Sequence, residues 1–175
     1  MKRLIFPLIL FFLLVTEGIA IELLPNALTS TDILIVPHWI LMFLILIALH
    51  YDRNDTFHSI VYSVCFGLLI DVVYTDILGV YMFVYPVAVY IVLLLKRFFL
   101  VNLPMSMIIT IIGITIAELL ILLIFSIIGM VDIPKTQFFV HRLLPTLLAN
   151  LLFFIPIYLL STKTLIRWGT EQLEK

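Results

Sequence analysis

Two carboxylates flank a short turn between apolar runs, and these residues are the best placed in the chain to carry out chemistry. Asp71 lies in a run that includes Gly67, and Asp76 precedes Leu78, Gly79 and a second apolar run. Two aspartates that share one proton form the catalytic pair of aspartic proteases. The five-residue spacing crosses a turn, so the two side chains need not face each other. A turn or capping role for Asp76 at the next helix fits its position better than catalysis.

Other catalytic and metal-binding patterns do not support an enzyme either. The sequence contains neither the His-Glu-x-x-His motif of zinc proteases nor the Gly-x-Ser-x-Gly elbow of serine hydrolases. Its one cysteine, Cys65, has no evident partner base. The four histidines lie near predicted helix ends and not at one depth, which is more typical of interfacial residues than of metal ligands: His38, His50, His58 and His141. We expect no catalytic residue, cofactor or metal.

The composition indicates an integral membrane protein. Of 175 residues, 64% are hydrophobic and 12% are charged, and the mean hydropathy is +1.28. Soluble domains are nearer half apolar and one quarter charged. The chain also has no basic stripe that would bind nucleic acid. These features predict a protein embedded in the lipid bilayer, with no nucleic-acid partner.

Six apolar runs predict an all-α protein with six transmembrane helices in a single domain, residues 1–175. Each run is close to the roughly 20 residues that a crossing requires. The first run could also be a signal peptide, but it continues beyond Ala20, which favours a retained helix. The segment after the last run, 161–175, is polar and amphipathic. The predicted spans are about 4–24, 33–51, 57–73, 77–95, 104–130 and 139–160.

Charge placement predicts that both termini are cytoplasmic. With that orientation, eight lysines and arginines fall in inner segments and two in outer segments, as the positive-inside bias requires. The inner set is Lys2, Arg3, Arg53, Lys96, Arg97, Lys163, Arg167 and Lys175, and the outer set is Lys135 and Arg142. The turn that follows Asp71 would then lie at the outer face of the membrane.

Polar and small residues within the fifth span predict contacts between helices. Glu118 lies near the middle of the span, where a carboxylate is costly in lipid, so it should face the interior. We expect Glu118 to be protonated there, or to form a hydrogen bond with Asn150 or with another helix. A structural role that clamps the helices together is favoured over a role in an ion or substrate pathway. Thr110, Gly113 and Ala117 share one helix face, and small residues at this spacing allow close approach of another helix. The partner helix could be internal or belong to another protein.

The outer ends of the third and sixth spans carry opposite charges. We predict that Asp71 and Arg142 form an ion pair that joins these two helices. Gly79 is expected to let the fourth helix pack closely behind the third.

These residues also carry a resemblance to a known family. Gly67, Asp71, Leu78 and Gly79, followed by the aromatic-rich stretch 81–85, resemble the corresponding turn of the rod shape-determining protein MreD family. The basic start at Met1-Lys2-Arg3, the run Arg142-Leu143-Leu144-Pro145-Thr146 and Asn150 in the last span add to the likeness, which extends over essentially the whole chain.

The resemblance implies a scaffold in the bacterial cell membrane. Proteins of this family act in the cell-elongation machinery with MreC, the actin-like MreB filament, RodA and a class B penicillin-binding protein, and so affect peptidoglycan synthesis. The family is also similar in fold to the substrate-binding subunits of energy-coupling-factor vitamin transporters, which leaves a vitamin-binding subunit as the alternative. The short outer loops and few outer polar residues favour the scaffold.

Overall fold

The computed structural model describes residues 5–23, 33–53, 56–131 and 134–171, and in these ranges the secondary structure is helical. The predicted all-α class is therefore confirmed. Lys2, Arg3 and Lys175 of the charge count lie outside these ranges. The helices are α1 (Ile5–Leu23), α2 (Trp39–His50), α3 (His58–Tyr74), α4 (Val80–Lys96), α5 (Leu103–Ile127), α6 (Lys135–Phe138) and α7 (Leu144–Thr170), with a π-helical segment (Phe139–Leu143) joining α6 to α7.

Helix α2 is the centre of the bundle. Ten of its 12 residues, 40–49, are buried. A helix that is apolar on every side has no face suited to water and is expected to be enclosed. Helices α1, α3, α4, α5 and α7 all pack against it. The core of the protein is therefore a short apolar helix surrounded by five others.

The exterior of the bundle is apolar as well. Large hydrophobic side chains project outward, including Leu100 (90% exposed), Leu160 (81%) and Ile127 (76%). Two helical stretches, Leu103–Ile127 and Thr136–Thr170, are long and apolar enough to cross a membrane, and four further apolar helices are shorter. Extensive exposed apolar surface of this kind is suited to lipid.

The second apolar run was predicted to form one continuous helix over 33–51, and the structure differs. Residues 33–38 are not helical, and α2 begins only at Trp39. Pro37 accounts for the late start, since proline disfavours helical backbone in the residue before it and cannot donate a backbone hydrogen bond. The predicted span 33–51 implied that Pro37 lies in the first turns of a helix, and this is wrong, because Pro37 precedes α2.

The last helix is longer than the predicted span over 139–160. It continues to Thr170, and Thr162, Leu165 and Gly169 are buried within the predicted polar tail. A Cβ atom added at Gly169 would lie 2.9 Å from the backbone oxygen of His50. The end of α7 therefore packs against the end of α2, which explains why the helix does not stop where the apolar run stops.

Two glycines allow close helix packing, but against different kinds of neighbour. A Cβ atom at Gly67 in α3 would lie 2.5 Å from the backbone oxygen of Tyr81 in α4. A Cβ atom at Gly113 in α5 would lie 2.7 Å from Cδ1 of Ile45 in α2, which is the tip of a flexible side chain. Thr110 and Ala117, on the same face as Gly113, are buried too. The neighbours of this small-residue face are thus internal helices.

This difference predicts unequal effects of the same substitution. Gly67→Ala should destabilise the protein by about 2–3 kcal/mol, because overpacking against backbone forces the two helices apart. Gly113→Ala should cost less than about 1 kcal/mol, because the Ile45 side chain can rotate. Thermal unfolding of both variants in detergent tests this order. Equal effects, or a larger loss for Gly113→Ala, would contradict the packing described for Gly67.

Candidate functional site

Buried carboxylates lie at the beginnings of successive helices in the bundle. The first turn of a helix has N–H groups without intrahelical partners, and in hydrocarbon no water can satisfy them. Oε2 of Glu17 in α1 accepts a hydrogen bond from the Ile40 N–H in the first turn of α2, at 3.1 Å. At the start of α3, the Asp52 carboxylate accepts from the N–H groups of His58 (3.2 Å) and Ser59 (2.8 Å). These carboxylates complete the backbone hydrogen bonding of α2 and α3.

Asp71 performs the same role for α4. Its carboxylate accepts hydrogen bonds from the N–H groups of Gly79 (2.9 Å), Tyr81 (2.9 Å) and Met82 (3.0 Å), and the side chain is fully buried. The ion pair predicted between Asp71 and Arg142 is therefore wrong, because the start of α4 occupies both oxygens of Asp71. A negative charge also interacts favourably with the helix dipole there.

The turn bears on two further expectations. Asp76 lies exposed in the turn, which agrees with the turn role expected for it, but the carboxylate that caps α4 comes from Asp71. Gly79 has φ of 101°, and a Cβ atom added there would meet nothing within 4 Å. Glycine is suited to this position because it adopts the left-handed backbone conformation without a steric penalty. The close packing that was predicted for Gly79 is not the reason.

The non-helical residues before α2 are held by the last helix. The Leu34 N–H donates to the backbone oxygen of His141 at 2.8 Å. In a regular helix that oxygen would accept from residue 145, but Pro145 has no N–H, so the acceptor is available. The Val36 N–H donates to Oγ1 of Thr146 at 3.1 Å. Backbone groups that are not in a helix are thus satisfied within the protein, as they must be in a lipid environment.

Asn150 completes this attachment with both ends of its amide. Its Oδ1 accepts from the His38 N–H at 2.7 Å, and its Nδ2 donates to the backbone oxygens of Val36 and Thr146, each at 2.8 Å. Asn150 is 1% exposed. The amide therefore fixes the entry into α2 against α7. Of the partners considered for Glu118, Asn150 is not the one used, because its amide is occupied by backbone groups; the alternative, a partner from another element, is the one observed.

The π-helical segment places Arg142 toward the bundle interior. The Leu144 N–H donates to the backbone oxygen of Phe139, five residues earlier, in place of the usual four. Pro145 follows directly, and a proline ring clashes with the carbonyl four residues before it, which favours a local widening of the helix. Isolated π-turns of this kind often occur at functional sites.

Glu118 connects four elements in one buried network. Its Oε2 accepts from Nε of Arg142 at 2.7 Å, and its Oε1 lies 2.8 Å from Nε2 of His38. Nδ1 of His38 lies 3.0 Å from the hydroxyl of Tyr85. The side chains of Glu118 and His38 are fully buried, whereas that of Arg142 is 22% exposed. The network joins the start of α2 to α4, α5 and the π-helical segment.

This arrangement is suited to holding helices together. Both oxygens of Glu118 and both ring nitrogens of His38 have partners inside the protein. Among the described residues, no group of three or more His, Cys, Asp or Glu side chains could hold a metal ion. The sequence interpretation of Glu118 as an interior clamp agrees with this geometry, but His38 and Tyr85 were not predicted to belong to it.

Comparisons with known proteins point to one family. The family model described as rod shape-determining protein MreD matches residues 2–166. A protein of Bacillus subtilis (strain 168) named rod shape-determining protein MreD is 25% identical over 151 residues, which cover 86% of each chain. No solved structure matches the chain significantly. These matches confirm the resemblance seen in the sequence, and their descriptions name a role in cell shape and no reaction.

Proposed function

The chain belongs to the family of the rod shape-determining protein MreD, and we propose that it is a non-enzymatic membrane scaffold of the bacterial cell-elongation machinery. A role in rod shape follows from membership of the family. We propose in addition that the protein controls peptidoglycan synthesis by associating with other membrane proteins.

The observation that carries this proposal is the internal use of the polar groups. Glu17, Asp71 and Asn150 bind backbone groups, and Glu118 binds His38 and Arg142. A vitamin-binding subunit would instead present convergent polar groups to a pocket open at the outer face. Association of helices in lipid depends on packing of apolar and small side chains, and the exterior of this bundle offers apolar surface.

The proposal includes the partners and the arrangement in the membrane. MreC is the first expected partner, and MreB, RodA and a class B penicillin-binding protein belong to the same assembly. We place the protein in the plasma membrane with six crossings and both termini in the cytoplasm, because lysine and arginine are concentrated in the segments on that side. The segment 33–38 together with α2 would make the second crossing.

Depletion of the protein tests the proposed function. We expect rod-shaped cells to become round, and the affinity-tagged protein to co-purify with MreC from the membrane fraction. Wild-type protein and the exposed-residue variant Glu22→Gln should both restore rods. Cells that keep their rod shape after depletion, together with a purified protein that lacks MreC, would exclude the scaffold role.

A further inference from the structure

A small cavity at the end of α4 has three cations among its five lining residues. Its walls are Arg53, Phe57, Leu93, Lys96 and Arg97, and its volume is about 110 Å³. Each water in the liquid occupies about 30 Å³, so the cavity has room for a group of a few heavy atoms, such as a phosphate. Three positive side chains around so small a space favour an anion.

Two of these cations are held in place by backbone oxygens. Nζ of Lys96 donates to the backbone oxygen of Ala48 (2.9 Å), in the last turn of α2, and to that of Asp52 (2.7 Å), just beyond the helix. An ammonium group has three donors, so a third is left for a ligand. Nε and one terminal nitrogen of Arg53 each lie 3.3 Å from the oxygen of Gly169. A guanidinium has five N–H groups, so Arg53 also keeps donors for a ligand.

The nearby Asp52 carboxylate is directed to other groups. It accepts from the N–H and hydroxyl of Ser59 and contacts Nδ1 of His58 at 3.3 Å. Burial raises the pKa of Asp52 above its ordinary value, although the hydrogen bonds from Ser59 and the contact with His58 act in the opposite direction. Asp52 therefore caps α3, and its charge also interacts favourably with Lys96. The cavity wall itself contains three cations and no acidic residue.

Apolar side chains project beside the cations. Phe98 (79% exposed), Phe99 and Leu100 directly follow Arg97, and Phe57 is half exposed in the cavity wall. Bulky apolar residues next to basic ones are typical of segments that lie at the boundary between headgroups and acyl chains. This second feature distinguishes the cavity from a site for a free anion in solution.

We propose that the cavity binds the phosphate of an anionic phospholipid, with Arg53, Lys96 and Arg97 around the phosphate and Phe57 and Leu93 against the adjoining glycerol and methylene groups. Basic pockets between membrane helices recognise lipid headgroups in this way. The site is independent of the scaffold function, because it depends only on the end of α4 and its neighbours.

Arg97 provides the test, because it is exposed and its replacement should leave the fold intact. The full chain in detergent is titrated with phosphatidylglycerol or phosphatidylcholine, and bound lipid is counted by native mass spectrometry while the melting temperature is followed. Wild-type protein should bind phosphatidylglycerol preferentially and melt at a higher temperature with it. Arg97→Gln should weaken this binding about tenfold, the size of one charge-assisted hydrogen bond. Arg97→Lys should retain part of it.

Arg167→Gln is the matched control, since Arg167 is an exposed arginine of α7 that does not line the cavity. It should bind phosphatidylglycerol as the wild type does. An equal loss in Arg97→Gln and Arg167→Gln would show diffuse attraction and overturn the site. Inorganic phosphate that stabilises the protein as much as phosphatidylglycerol does would overturn its assignment to a lipid.

Discussion

Replacing Arg142 with glutamine is expected to lower the free energy of unfolding by about 3–5 kcal/mol. Arg142 is the cation that contacts the fully buried Glu118, at 2.7 Å. A buried carboxylate that loses its partner keeps the full cost of its removal from water. His38 still contacts Glu118 through Nε2, but its other ring nitrogen is occupied by the Tyr85 hydroxyl. His38 therefore does not replace the contact that Arg142 makes. Denaturant unfolding in detergent micelles, with the fraction of monodisperse protein as a second readout, measures the effect.

The double variant separates the ion pair from simple loss of packing. Glu118→Gln in the Arg142→Gln background removes the buried charge while an amide can still accept a hydrogen bond from His38. We expect it to recover about 1–3 kcal/mol relative to Arg142→Gln alone. Lys163→Gln, at an exposed position of α7, should change stability by less than about 0.5 kcal/mol. If the double variant is as unstable as the sum of the single ones, Glu118 and Arg142 do not act as a pair.

Asp71→Ala is expected to destabilise the protein by about 3 kcal/mol or more. The substitution leaves the N–H groups of Gly79, Tyr81 and Met82 without their acceptor at the start of α4. Each buried group that loses its hydrogen bond costs about 1–3 kcal/mol. The loss should be visible as a lower melting temperature and as faster hydrogen exchange in the first turn of α4.

Asp76→Ala is the control for this effect. It removes the same side chain five residues later, where the aspartate is exposed in the turn, and should change stability by less than about 0.5 kcal/mol. A similar loss for Asp71→Ala and Asp76→Ala would mean that the charge of the turn matters, and not the cap on α4.

The sequence was sufficient to predict the helices but not the partners of their polar residues. Apolar runs of about 20 residues identify membrane helices because lipid imposes their length and composition. The partner of Asp71 depends on the path of the chain after α3. A return within a few residues brings the start of α4 to Asp71, and no such constraint brings Arg142 there.

The position of His38 carries more information than its residue type does. A histidine near the apparent start of a span is usually interfacial. Pro37 directly before it indicates that the helix cannot begin at Ile33. A later start places His38 deeper in the bundle, where its ring must find hydrogen-bond partners. Tyr85 offered no comparable signal, because an aromatic residue within an apolar run is usually part of the core.

Pro145 carries information of a similar kind about the helix that precedes it. Pro145 removes a donor from the helix, so the His141 oxygen needs another partner, and the Leu34 N–H supplies it. That a carbonyl is left over can be read from the sequence. Which backbone segment reaches it requires the three-dimensional arrangement of residues 33–38 and α7.

The measurement that tests the scaffold proposal most directly is the shape of depleted cells that express the double variant Glu118→Gln, Arg142→Gln. If the buried network only holds helices together, this variant should restore rods and co-purify with MreC once its folded amount in the membrane matches that of the wild type. If the variant is folded and equally abundant but the cells stay round, then Glu118 and Arg142 take part in the function itself, and the proposal of a passive scaffold is contradicted.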